Sequence, residues 1–189
     1  ICDYKEGLLQ LDPKTGKLET ILRTAFSEGF KGLNDLHFAA NGDLYFTDQG
    51  QTGIADPTGR VFRLSTSGRL DRLCDNLPSP NGITLSADGD ISKTGVAIQL
   101  SGGVGGPDGI EMDSENGLLV CQLGVVIWRF DSNMLPTHLI HSPDHKHHHL
   151  ANIAAGGPDL KTLYITESLS GDILVAKLPV AGKKLFAHQ

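Results

Sequence analysis

Short runs of alternating apolar residues, each closed by a glycine-bearing turn, recur along this chain in units of four. In "DLHFAANGDLYFTD", Leu36 and Phe38 precede an Asn41-Gly42 turn, and Leu44 with Phe46 follow it. In "GRVFRLSTSGRLDRL", Val61, Phe62 and Leu64 precede a Ser67-Gly68 turn, and Leu70 with Leu73 follow. Period-two alternation with N-G and S-G turns predicts four short antiparallel strands over residues 34–77. A second such unit spans residues 107–141, with Trp128 and Phe130 matching Phe62 and Leu64, and a third spans 150–189. Residues 7–22, "GLLQLDPKTGKLETIL", match only the last two strands of a unit. No segment of a dozen residues carries a 3.6-residue period, so helix is expected to be scarce. Four antiparallel strands every 40–45 residues or so is the spacing of a propeller blade. The expected fold is therefore all-β: a single β-propeller domain over residues 1–189, incomplete, with about four blades' worth of chain.

One unit comes up short. A polar phrase opens each copy: "LND" at 33–35, "PNGI" at 80–83, "PDGI" at 107–110 and "LANI" at 150–153. From Asn34 to Asn81 is 47 residues and from Asp108 to Asn152 is 44, but from Asn81 to Asp108 is only 27. The unit that opens at Asn81 begins a strand at Ile83 and Leu85, then lacks about two strands and a turn. Its last strand is expected in "GVAIQLSG". The chain starts at Ile1, already inside a patterned segment, so one or more N-terminal blades are expected to be missing.

Strand A of a blade lies beside the central channel, so polar residues at the start of every strand A would ring one channel mouth. Asn34, Asn81, Asp108 and Asn152 are those residues. An oxygen-only set suits a hard cation, calcium above all, although Asn and Asp also favour turns that precede strands. Composition narrows the partners. With 16 Lys and Arg against 22 Asp and Glu, the formal charge is −6. No basic stripe is present to neutralise phosphates, so neither nucleic acid nor an anionic membrane is an expected partner. No apolar run approaches the length of a membrane span, and a cytoplasmic location is the default expectation. The three cysteines, Cys2, Cys74 and Cys121, are widely spaced and fit buried thiols better than a disulfide framework or a zinc knuckle. "HSPDHKHHHLAN" has no zinc-helix spacing and reads as a solvated loop, but His149, three residues before Asn152, is placed to overhang the mouth. "GGVGGPDG" leads into a strand and is not a phosphate cradle, and no G-x-S-x-G is present.

Four phrases together, "KGLNDLHFAANGDLYFTDQGQTG", "SPNGITLSADG", "GGPDGIEMD" and "KTLYITES", resemble the SMP-30/gluconolactonase/LRE-like family of six-bladed propeller lactonases. The resemblance implies a divalent cation in the central channel, usually calcium, with Zn²⁺, Mn²⁺ or Mg²⁺ as alternatives. It assigns Asn34, Asn81 and Asp108 as metal-site residues; Asn34 is also a candidate substrate-binding residue, as is His149 from its place before Asn152. It makes Asp48, at the end of "YFTD", either a support behind the ligands or a proton-transfer group. Glu167 holds the like position in "YITES". The glutamate that the family supplies from an N-terminal strand has no match, and Glu6 sits in an outer-strand context. Gly32 stands where some members carry an arginine. The function implied is metal-dependent hydrolysis of a small-molecule lactone or ester, with Asp108 or Asp48 taking the proton from water. The alternatives are a non-catalytic propeller that binds a ligand or protein on the same face, and an inactive fragment of a lactonase.

Overall fold

The structure, a computed structural model, describes residues 1–85, 98, 100, 105–124, 126–143 and 149–186. It resolves into two compact units, Ile1–Ile83 and Thr84–Gln189. No α-helix occurs among the described residues, and none is available to cross a membrane.

In the first unit, β1 (Cys2–Asp3), β2 (Gly7–Leu11) and β3 (Leu18–Leu22) form a three-stranded sheet, followed by a small hairpin of β4 (Thr24–Ala25) and β5 (Glu28–Gly29). A four-stranded antiparallel meander follows, made of β6 (Leu33–Phe38), β7 (Leu44–Asp48), β8 (Gly59–Leu64) and β9 (Leu70–Leu77). This is the blade predicted for residues 34–77. Alternation puts Phe46 of β7 and its cross-strand partner Phe62 of β8 on one face, both fully buried. Their rings stack at 5.5 Å, and Phe30 meets each edge-on at 5.7 Å. Leu8, Ala25, Leu33 and Leu44 complete this core. Burying each such aromatic is worth about 2–3 kcal/mol. The Asn41-Gly42 turn forms as expected: Gly42 adopts φ 87° and donates its N–H to Ala39 at 2.9 Å.

In the second unit, β10 (Pro107–Met112), β11 (Leu118–Gln122), β12 (Val126–Phe130) and β13 (Pro136–His141) form the second complete blade. A third sheet has three strands, β14 (Leu150–Gly156), β15 (Thr162–Glu167) and β16 (Ile173–Lys177). Leu119, Cys121 and Ile127 of the one pack with Ile153, Ala155, Leu163 and Ile165 of the other.

Two sequence expectations need correction. Residues 150–189 were expected to hold four strands, but no fourth strand forms among the described residues. After Lys177 the chain turns across the end of the sheet instead. Leu178 and Gly182 donate to the carbonyls of Lys161 and Leu160, and Lys183 donates to Met112. Nor do Ile83 and Leu85 form a strand. The backbone there bonds to side chains rather than to a ladder: Ile83 N–H reaches the Asp35 carboxylate at 3.0 Å, and the Asn81 carbonyl accepts the Thr47 hydroxyl at 2.8 Å. Apart from Ile98 and Leu100, the remainder of that short unit lies outside the described residues, as do residues 144–148 of the histidine run.

Candidate functional site

Each strand A is irregular at the position that carries its polar residue. The β6–β7 register shifts between Leu33 and Leu36, the β10–β11 register between Pro107 and Ile110, and the β14–β15 register between Leu150 and Asn152. A bulge breaks the strict alternation of side chains and re-aims the residues within it. Asn34, Asp108 and Asn152 are therefore presented by bulges at the start of strand A, all three half-buried.

A threonine at the end of strand B supports the bulge in the first blade and in the third sheet. In the first blade Thr47 accepts the Asp35 N–H at 3.0 Å, and its hydroxyl contacts the Asp35 carbonyl at 3.4 Å. In the third sheet Thr166 does the same for Asn152, at 2.9 and 3.3 Å. The following residue is a buried polar group in all three: Asp48, Gln122 and Glu167. Asp48 Oδ1 accepts the Gly32 N–H at 2.8 Å, and Oδ2 accepts Arg60 Nε at 2.7 Å. Both carboxylate oxygens are thus engaged, and the Arg60 guanidinium is itself buried. That arrangement ties Asp48 to the backbone of Gly32, two residues before Asn34. Glu167 lacks an arginine. It accepts the Ser170 N–H and hydroxyl, the His149 N–H and the Leu169 N–H, which hold its carboxyl at about 2, far below the usual range.

Asn34 and Asn81 both belong to the first unit. The Asn34 amide Nδ2 donates to Gln49 Oε1 at 2.8 Å, which leaves Oδ1 on the other side of the amide from Gln49. Gln49 Nε2 in turn donates to the Ser79 hydroxyl, two residues before Asn81. Thr47 joins the two phrases directly through the carbonyls of Asp35 and Asn81. Gly32 lies under the Tyr4 ring, where a Cβ would overlap the ring atoms.

Asp108 and Asn152 belong to the second unit and lie on neighbouring strands. Gly109 packs so closely on Asn152 that a Cβ would overlap its Oδ1 and come 2.7 Å from its Cα. Burial, with the Asp108 charge adding to it, pushes the Cys121 thiol up to about 12. His149 is held through its backbone N–H by Glu167, beside the Asn152 bulge. Among the described residues, no three His, Cys, Asp or Glu side chains gather as a metal site. The candidate cation donors are of another kind, two amide oxygens and one carboxylate, and the fixed Asn34 amide fits oxygen ligation.

Gln49 and Gln122 were missed at the level of sequence, although for Gln122 a signal was present. Asp48 follows Asn34 by 14 residues, Gln122 follows Asp108 by 14, and Glu167 follows Asn152 by 15.

Four-stranded antiparallel meanders opened by bulged polar residues define an all-β fold of propeller blades. The chain belongs to the SMP-30/Gluconolactonase/LRE-like family, whose model matches residues 1–92 and 88–168. A gluconolactonase of Zymomonas mobilis is 35% identical over 90 residues, 43% of this chain and 25% of that protein. A lactonohydrolase of Aspergillus oryzae is 30% identical over 93 residues, 45% of this chain and 21% of that protein. The matched stretches therefore span about a quarter of these relatives' length. The fold is shared with the solved structure of a gluconolactonase from Xanthomonas campestris. That likeness has a TM-score of 0.72 at 23% identity and covers 94% of this chain and 67% of the other.

Proposed function

We propose that this chain carries part of a lactone-opening hydrolase site, in which Asn34, Asn81 and Asp108 hold a divalent cation, calcium before zinc, manganese or magnesium. The observation that carries the reading is the Asn34 amide, oriented by Gln49 and presented by a bulge in a chain that belongs to the gluconolactonase family. The lactonase names of the relatives support the reaction class. When bound, the cation would supply Lewis-acid polarisation of the lactone carbonyl.

The residues of the chain do the rest. Asn34 and His149 orient the substrate at the mouth. Asp108, half-exposed at the start of β10, takes the proton of the attacking water. Asp48 holds Asn34 in place through Gly32, because its oxygens are already engaged by Gly32 and Arg60. The same engagement favours a second reading. With Asp48 locked, Asp108 is the sole remaining candidate base, and a site with one base that is also a ligand suits a binding module as well as an enzyme.

Hydrolysis of glucono-δ-lactone, followed by acid release with calcium and then with a chelator, separates the two. Turnover that requires calcium and falls about 100-fold or more in Asp108→Ala is expected of the hydrolase. Calcium binding without turnover is the outcome that favours the binding module.

A further inference from the structure

Three mouths are gripped by one side chain each, and the grip reverses polarity where the presented residue is charged. In the first blade, Asp48 takes the N–H of Gly32, while the Gly32 carbonyl accepts the Gly50 N–H at 3.1 Å. In the third sheet, Glu167 takes the N–H of His149 at 3.0 Å, while the His149 carbonyl accepts the Ser168 N–H at 3.0 Å. In the second blade the side chain donates instead. Gln122 Nε2 reaches the Gly105 carbonyl at 3.3 Å, and the Leu123 N–H reaches the Gly106 carbonyl at 3.0 Å. The Trp128 indole N–H donates to Gln122 Oε1 at 2.8 Å, which turns Nε2 towards Gly105.

We propose that Asp48, Gln122 and Glu167 are positioning residues that fix the backbone ahead of each bulge, with an acid where the presented residue is an asparagine and an amide where it is Asp108. Where the presented residue is a neutral asparagine, Asn34 or Asn152, the gripping residue is an acid. Where it is Asp108, the gripping residue is an amide. The physical reason is proximity. Pro107 pairs with Gln122 across the β10–β11 ladder, so an acid at 122 would set a second negative charge beside Asp108. An amide grips a carbonyl with no charge added. The unit that opens at Asn81 is held differently, by Thr47 and Asp35 of the preceding blade. The importance of these residues for turnover rests on the lactonase reading; the grip and the charge matching do not.

The test uses the full chain and two sets of variants. In Glu167→Gln the single acceptor oxygen is drawn to Ser170 and Leu169, which supply three donors to Glu167 Oε2, so the new NH₂ faces the His149 N–H. Amide exchange over His149–Ile153 is expected to rise about tenfold or more, the effect of losing a charge-assisted hydrogen bond, with β15 and β16 still protected. Unchanged exchange there overturns the grip. If the chain turns over lactone, kcat should fall about tenfold with KM kept within about twofold, because the substrate still binds but is misaligned. An unchanged kcat beside raised exchange overturns the positioning role in catalysis.

The charge matching is read from a cycle of Gln122→Glu, Asp108→Asn and their double variant. The double variant should melt above Gln122→Glu alone, since it restores one carboxylate to that mouth. Additive losses overturn the matching. A wild-type chain without lactone turnover would remove the lactonase reading, and the exchange and melting results would still decide the grip.

Discussion

The mouths of the two complete blades solve the same problem with and without charge. In the first, Asp48 and Arg60 face each other across β7 and β8 and form a buried ion pair. Arg60 also reaches Glu28 and the Gly29 carbonyl, and its guanidinium lies 5.3 Å from the centre of the Phe62 ring. In the second, the same two positions are Gln122 and Val126, again direct partners across β11 and β12. That blade keeps a buried pair too, Asp113 with Arg129, but at the opposite end, where Asp113 also accepts the N–H groups of Glu115 and Gly117. The mouth of a blade therefore needs a polar anchor at the end of strand B, and the charge of that anchor is optional. Between these two blades acid and arginine are replaced together, and at the first mouth removing Arg60 alone would leave a buried charge without its partner.

The largest effect should come from breaking this pair. Arg60→Val alone leaves Asp48 buried and opposed by the Gly32 N–H only, a loss of about 3–5 kcal/mol. Adding Asp48→Gln removes the unpartnered carboxylate and keeps an oxygen for the Gly32 N–H, and part of that loss should be recovered. Urea denaturation of the single and double variants measures both. A double variant no more stable than Arg60→Val would mean that the two mouths are not interchangeable.

A smaller effect is expected one residue after the presented side chain. In the first blade that residue is Asp35, whose carboxylate reaches out to Ile83 N–H. In the second it is Gly109, against which β14 packs so closely that a Cβ has no space. Gly109→Ala should cost about 1–3 kcal/mol, the usual penalty of overpacking, with the amides of Asn152 and Ile153 showing the displacement by NMR. An alanine tolerated without loss or shift would show that the close approach does not define the second mouth.

These contrasts also mark what could be read in the sequence. Alternation and turn residues were sufficient for the blades at 34–77 and 107–141, because each strand there has a partner on both sides or a short turn to the next. They failed at Ile83 and after Lys177, where the apolar pattern continues but the backbone bonds elsewhere. A period-two pattern reports the character of a segment and is silent about its partner. The presented residues Asn34, Asp108 and Asn152 were legible because they recur at the start of each unit. Their bulges were not, since a bulge is a property of register between strands. Asp48 and Glu167 drew notice as acids. Gln122 passed unnoticed because an amide at a strand end has no chemistry of its own until Trp128 and Gly105 are seen around it.

The third mouth sharpens the comparison, because Glu167 is an acid there without an arginine. Its charge is stabilised by the N–H groups of Ser170, His149 and Leu169 and by the Ser170 hydroxyl, and its pKa is lowered from 4.5 to about 2. A carboxyl whose folded value lies below its unfolded value binds its proton more readily when the chain unfolds. Its contribution to stability is therefore fully present above about pH 4.5 and is lost as the pH falls towards 2 and below. Glu167→Gln carries no titrating group at this position, and all other carboxylates are common to both proteins. The difference in Tm between wild type and Glu167→Gln should thus be constant from pH 7 to 5, shrink below about pH 4.5, and be largely gone near pH 2. A Tm difference for Glu167→Gln that stayed constant down to pH 2 would mean that the carboxylate charge is not what its donors stabilise, and the acid and amide mouths would then be equivalent in kind.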